Sequence, residues 1–339
     1  MLQTVLKQFG FDGDDCKTEP FGSGLIHSTW VVESKEKKYI LQRINNNVFL
    51  HPEDIAYNLK LISGHLKEHF PAYLFVNPYP ATDGSNLVKI WDGYFRMFPF
   101  IEGSHTIDII ERREQAYEAA KQFGRFTKLL SGLDVTLLKI TVPDFHDLSL
   151  RYGQFENAIQ NGKMDRVVQS KDLITFIKQQ KYIVTEYEYC QLNFTSRCTH
   201  HDTKISNVLL DADDKGLCVI DLDTAMPGYF ISDVGDMIRT YVSPVSEEEK
   251  DFSKIEIRKE IVEAIVNGYL SEMGEELSDF EKKHFSFAGK MMTYMQAIRF
   301  LTDHLNNDAY YGAAYDGHNF IRAGNQITLL KRLQEFNFG

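Results

Sequence analysis

HHDTKISNVL occupies residues 200–209, and CVIDLD follows at residues 218–223. Together they set out His-x-Asp-x-Lys-x-x-Asn, a short apolar strand, a turn, a second apolar strand and Asp-x-Asp. A lone Asp in a turn is ordinarily a cap, but the ordered set points to chemistry. Moving a phosphoryl group onto a hydroxyl needs a carboxylate to accept the hydroxyl proton, and oxygen ligands that hold Mg²⁺ against the phosphates of ATP. Asp202 suits the first task, and Asn207 and Asp221 the second. Asp221 ends a buried strand, where a carboxylate pairs, caps or binds a metal. Asp223, expected on the same strand face, can share that metal. Lys204 can donate to the transferred phosphate. His200 reads as a brace for the loop, and His201 carries no assigned role. In GYFISDVGDM (228–237), Asp233 and Asp236 are expected to cap a helix and steady the same loop.

Other stretches extend the pattern. FGSGLIHST (21–29) places Gly22, Ser23 and Gly24 between two strand candidates. Most such glycines make plain hairpin turns. Ahead of a nucleotide site they can let backbone amides approach phosphate oxygens. On the next strand, YILQRIN, Arg43 is the candidate cation for the α- and β-phosphates, with Glu53 or Asp54 as a possible partner. IRFLTDHLNNDAYYG (298–312) gathers Arg299, Asp303 and Tyr310 at a helix end. Planar hydrogen-bonding groups beside aromatic faces suit a small polar ligand, sugars especially. The alternative is a helix terminus with capping polar groups.

Composition sets limits. A chain of 339 residues, 43% hydrophobic and 25% charged, reads as an ordinary globular protein of one large or two medium domains. Its net charge of −11 opposes a nucleic-acid partner. No apolar run is long enough to span a membrane, and the start lacks the pattern of a signal peptide. Cys16, Cys190, Cys198 and Cys218 show no paired spacing, which points to a reducing compartment. A cytoplasmic monomer without membrane or nucleic-acid partners is the expectation.

The first hundred residues differ from the rest. Residues 1–14 suggest a short helix. FGSGLIHSTWVVES, KKYILQRIN, AYLFVNP, SNLVKIWDG and YFRMFPFI read as five strand-like runs. A helix opened by Pro52 interrupts them, with Ile55, Leu59, Ile62 and Leu66 on one face. The expectation is an α+β fold: a small antiparallel sheet with one helix inserted after its third strand, then a mainly helical lobe. Long helical patterns include ERREQAYEAAKQFGRFTKLLSGL and DFEKKHFSFAGKMMTYMQAIRFLTDHL. The expected divisions are residues 1–98, a hinge at 99–103, and 104–339.

In order and spacing these motifs resemble the aminoglycoside phosphotransferase and choline kinase-like superfamily, which has the bilobal protein-kinase-like fold. HHDTKISNVLLD looks like its catalytic loop, which usually opens His-Gly-Asp, and VIDLD like its metal-binding segment. PFGSGLIHSTW, YILQRINNNVF, HHDTKISNV and IRFLTDHLNNDAYY are similar, more narrowly, to the N-acetylhexosamine 1-kinases. That resemblance implies transfer from ATP, with Mg²⁺, to the anomeric hydroxyl of N-acetylglucosamine or N-acetylgalactosamine. It implies Asp202 as base, Asn207 and Asp221 as metal ligands, and Arg299 and Tyr310 in the sugar pocket. Adenine would lie against the hinge around Met97, Phe98 and Phe100. Two departures stand out. The usual β3 lysine is missing, so Arg43 or Gln42 would stand in, a pair the N-acetylhexosamine kinases share. His201 occupies the place of a small residue. Choline, methylthioribose and aminoglycosides are alternative acceptors for the fold. A phosphohydrolase built on His201 and Asp202, or a non-catalytic pseudokinase, are the alternatives outside small-molecule kinases.

Overall fold

The computed structural model describes residues 2–12, 15–22 and 26–338. Helix α1 (Leu2–Gln8) leads into β1 (Lys17–Pro20), β2 (Ser28–Ser34) and β3 (Lys37–Ile44). Helix α2 (Pro52–His69) follows, then β4 (Val88–Ile90) and β5 (Gly93–Pro99). The five strands form one sheet in the order β1-β2-β3-β5-β4, antiparallel throughout. Strand side chains alternate between faces. Val32, Leu41, Phe95 and Met97 therefore pack with Val5, Leu6 and Phe9 into a small core on one side. Ile44 faces the other way, where Ile55, Leu59, Ile62 and Leu66 of α2 join the main core. Pro52 opens α2, where its missing N–H costs no helical hydrogen bond.

One expected strand is absent. AYLFVNP runs as irregular chain apart from a single bridge of Tyr79 to Met97. Pro71, Pro78 and Pro80 deny it ladder donors, while Tyr73 anchors the segment by burial. The fifth strand is instead β1, ahead of the glycine turn.

The remaining chain is helical around two short two-stranded sheets. Its helices are α3 (Arg113–Leu129), α4 (Leu148–Asn161), α5 (Met164–Gln169), α6 (Lys171–Gln179) and α7 (Tyr182–Gln191). The strands β6 (Arg197–Thr199), β7 (Val208–Leu210), β8 (Gly216–Val219) and β9 (Met226–Gly228) come next. Helices α8 (Phe230–Tyr241), α9 (Lys259–Met273), α10 (Asp279–Lys282), α11 (Phe285–Leu305) and α12 (His318–Glu335) complete the lobe. The long expected helix over 279–305 breaks into α10 and α11, because Ser278 and Glu281 close a capping box around a separate first turn. α3 and α9 touch backbone to backbone: a Cβ on Gly268 would fall 2.4 Å from the Tyr117 carbonyl oxygen. β6 pairs with β9 and β7 with β8, each antiparallel. The loop after β6 and the loop after β8 thus emerge side by side, facing the sheet. No described helix is long and apolar enough to cross a membrane.

Candidate active site

The loop leaving β6 is held from beneath by α8. Asp233 accepts hydrogen bonds from the amides of His200 (3.1 Å) and His201 (2.7 Å). Asp236 accepts from the Thr203 amide at 3.0 Å. His200 is fully buried and its Nε2 meets the Ile220 carbonyl at 2.9 Å, tying the loop to the end of β8. Both acids and His200 brace the loop as the sequence suggests. His201 has φ +65, the left-handed region that favours glycine. Its ring is buried against Thr199 and Thr224, and burial lowers its pKa to about 4. It is a neutral packing residue.

That frame presents Asp202. Its carboxylate accepts from Asn207 Nδ2 at 3.1 Å and lies 3.3 Å from Lys204 Nζ. Attraction to Asp202 raises the Lys204 pKa, so lysine stays a cation beside that carboxylate. Asn207 Nδ2 also donates to the Asp202 carbonyl, which turns its amide oxygen away from that carboxylate. Asp221 is two residues beyond β8, at φ +58, and not at a strand end as expected. Its side chain is exposed to the cleft although protein crowds around it. That crowding, then the Asp223 and Asp202 carboxylates, push its pKa up. A carboxylate whose charge is disfavoured by other carboxylates is suited to a cation. The donor set of Asp221, Asn207 and Asp202 is all oxygen, which fits Mg²⁺.

Asp223 is different from the expectation. A short 3-10 turn over Leu222–Thr224 removes the strand alternation that was to place it beside Asp221. It is buried, with His27 Nε2 at 2.8 Å on one carboxylate oxygen and Arg96 Nη1 on the other. Burial pushes its pKa up, but Arg96 and His27 outweigh that and hold it below the ordinary carboxylate range. Asp223 thus anchors two basic groups, one on each oxygen. Asp221, Asp223 and His27 lie together, their ligating atoms within 4.8 Å.

Arg43 does not join this group. It shares a face of β3 with Leu41, away from the cleft, and its guanidinium lies 3.6 Å from Asp92. Its ion pair is with Asp92, not with Glu53 or Asp54; Glu53 has its pKa lowered by its own backbone amide, with Tyr94 and Lys89 nearby. Gln42 is the β3 residue on the cleft face, and its Oε1 accepts from Arg96 Nε at 3.1 Å and Nη2 at 2.9 Å. Sequence reasoning missed Arg96 and His27. The signal for Arg96 was present: a lone arginine inside the apolar run YFRMFPF must find a partner if the strand is buried. For His27 no such signal exists.

Gly22 has φ +78 at the β1–β2 connection; Ser23 and Gly24 lie outside the described residues. Phe21 beside it reaches Phe100, just past the end of β5, with ring centroids 6.2 Å apart. Met97 is buried in the small core and its carbonyl accepts from the Tyr79 amide at 2.6 Å, so its side chain does not face the cleft. Phe98 shares the cleft face with Arg96, whose guanidinium lies 5.1 Å from the ring.

Next to the His201 ring lies a basic, aromatic wall. His146 is 5.4 Å from the His201 ring. The Arg299 guanidinium sits among Phe145 (5.7 Å), Tyr311 (5.5 Å) and Tyr310 (5.9 Å). Burial, then Arg299, lowers the Arg151 pKa, so a second cation borders the same space. Tyr310 is 71% exposed and free to meet a ligand. Asp303, expected beside it, is buried and accepts from the Tyr310 and Tyr311 amides and from Asn319. It fixes the loop after α11 and does not face the cleft, which is the capping alternative.

The Phosphotransferase enzyme family profile matches residues 17–273. Among solved structures, an aminoglycoside phosphotransferase from Alicyclobacillus acidocaldarius superposes with a TM-score of 0.66 at 12% identity, over 98% of this chain and 95% of that one. A microcompartment-associated aminopropanol kinase gives 0.61 at 17% identity, over 98% and 97%. A spectinomycin phosphotransferase solved with ADP and spectinomycin gives 0.58 at 12% identity, over 95% and 93%. At such identities the likeness speaks for the fold, which is the kinase-like arrangement of a five-stranded sheet lobe and a helical lobe.

Proposed function

This chain belongs to the Phosphotransferase enzyme family, and on that premise we propose that it transfers the γ-phosphoryl group of ATP to the anomeric hydroxyl of an N-acetylhexosamine. The carrying observation is the Arg299 wall, joined through Phe145 to the ring of His201, the residue before Asp202. Choline or an aminoglycoside brings positive charge and calls for an acidic or empty aromatic cage. Here a guanidinium already occupies the aromatic cage, with Arg151 next to it. A neutral acceptor rich in oxygen, with an amide, meets those donors without repulsion.

ATP is assigned to the cleft between residues 1–98 and 104–339, its adenine against 97–101 and its phosphates under the glycine turn at Gly22. Asp221 and Asn207 would hold Mg²⁺, which when bound neutralises charge on the phosphates. Asp202 accepts the proton of the attacking hydroxyl as its oxygen bonds to the γ-phosphorus and the bond to the ADP leaving oxygen breaks. Lys204 sits where it can donate to the transferred group. Tyr310 and Arg299 orient the sugar.

The test is ADP release in a coupled assay over N-acetylglucosamine, N-acetylgalactosamine, choline, methylthioribose and kanamycin. Turnover with an N-acetylhexosamine at least about tenfold above the others, a difference of one good charged contact, supports the assignment. Faster turnover of choline or kanamycin removes it.

A further inference from the structure

Lys38, at the start of β3, is exposed with its Nζ 5.8 Å over the Phe100 ring; four residues on, the same strand face carries the neutral Gln42. Directly opposite in the register of β5 is Arg96. Its neighbours Phe95 and Met97 point into the small core, so Arg96 is driven to the cleft face, where it is 3% exposed. A buried guanidinium without partners is strongly unfavourable. The inner face of α2 supplies Ile55, Leu59 and Ile62 and no carboxylate. Gln42 therefore fixes one edge of the guanidinium by two hydrogen bonds, and Asp223 balances the charge. Asp223 also holds His27, which follows the glycine turn. One ionic knot thus joins β3 and β5 of the sheet, the Asp221–Asp223 loop and His27, which directly precedes β2.

We propose that Arg96 is the phosphate-contacting cation of this enzyme, relocated from β3 to β5, and that Gln42 is its positioning residue. A guanidinium has donors on two edges. With Gln42 gripping Nε and Nη2, the Nη1 edge can pass from Asp223 to a phosphate oxygen, and Gln42, being neutral, adds no negative charge of its own. Gln42 does what a helix carboxylate would do for a lysine, without competing for the cation.

The inference rests on ATP as donor, so the experiment separates the two. Wild-type, R96Q, D223N and the swap Q42K/R96Q are titrated calorimetrically with ATP, ADP and adenosine in EDTA, which removes metal from the comparison. R96Q is expected to bind ATP and ADP about 10- to 100-fold more weakly, the loss of a charged hydrogen bond, and adenosine within about twofold. The swap restores most of the loss. D223N, which keeps the arginine but removes its resting partner, keeps the preference for ATP over adenosine. R96Q binding ATP like wild type, or losing adenosine by the same factor, overturns the role of Arg96 alone. Wild-type protein that binds adenosine but gains nothing from the phosphates overturns it as well. Absence of any adenine nucleotide binding by wild type overturns the ATP reading itself. If R96Q does not fold, D223N and the swap decide: loss of the ATP preference in both leaves Arg96 a structural tie.

Discussion

Asp233 reaches from the first turn of α8 to the backbone of His201, its Oδ1 2.7 Å from the amide nitrogen, while its other oxygen takes the amide of His200. Both donors are buried, and neither has water to fall back on. Asp233→Ala should leave two unsatisfied amides, each costing about 1–3 kcal/mol. We expect a drop in unfolding free energy of about 2–5 kcal/mol, read by urea denaturation. A variant as stable as wild type would show that the loop holds itself up.

His201 is tested by comparing two replacements. Its φ of +65 costs an alanine what it costs a histidine, and costs glycine nothing. Each replacement also loses the buried ring, which lies against Gly228. Both should be less stable than wild type, with His201→Gly above His201→Ala by about 1 kcal/mol. Turnover in the glycine variant should stay within a few-fold of wild type, since Asp233 still holds the loop. Equal stabilities for the two would refute the backbone argument.

The same residue sets a pH signature. Its folded pKa of about 4 is below the ordinary value of 6.5. A depressed base stabilises the fold fully above its unfolded pKa, and that contribution is lost as pH falls from 6.5 through 4. The stability gap between wild type and His201→Gly should therefore narrow between pH 7 and pH 4 in thermal melts. A gap that widens on acidification would mean the histidine is charged in the fold.

Much of this site was legible because its logic is local. Asp202, Lys204 and Asn207 fall within six residues, and a short loop keeps such groups together whatever surrounds it. Asp233 and Asp236 are one helical turn apart, so their shared face follows from sequence periodicity. The errors came where the decision is tertiary. Arg43 and Arg96 are both arginines on adjacent strands, and which one enters the cleft depends on strand phase relative to the small core. Asp303 and Tyr310 sit in one segment, but the sharp turn after α11 buries the acid and exposes the ring. Asp223 gained its basic partners Arg96 and His27 through a 3-10 turn that no alternation pattern announces.

Asp303→Ala should separate folding from chemistry. The change removes the acceptor for Tyr310, Tyr311 and Asn319, so the loop carrying Tyr310 loosens. The expected outcome is lower thermal stability and a raised acceptor KM, with the KM for ATP within about twofold of wild type, since no charged contact to the nucleotide is lost. A kcat loss with unchanged KM values would instead place Asp303 in the reacting site.

Arg299→Met should report on the acceptor directly. The side chain touches three aromatic rings and makes one long side-chain hydrogen bond, 3.4 Å to Gln296, so its guanidinium is held mainly by stacking and can serve a ligand. Methionine keeps the apolar stem against those rings and removes charge and donors. For an N-acetylhexosamine the acceptor KM should rise about 10- to 100-fold with kcat changed by far less, the pattern of lost uniform binding. Asp202→Asn gives the opposite pattern: kcat falls about 10²- to 10⁴-fold while the acceptor KM holds. A cationic acceptor such as choline would respond in reverse to Arg299→Met, because removing a positive charge from the wall relieves repulsion. Improved choline turnover in that variant, with no loss on the sugars, would move the acceptor assignment away from N-acetylhexosamines while leaving Asp202 in place as the base.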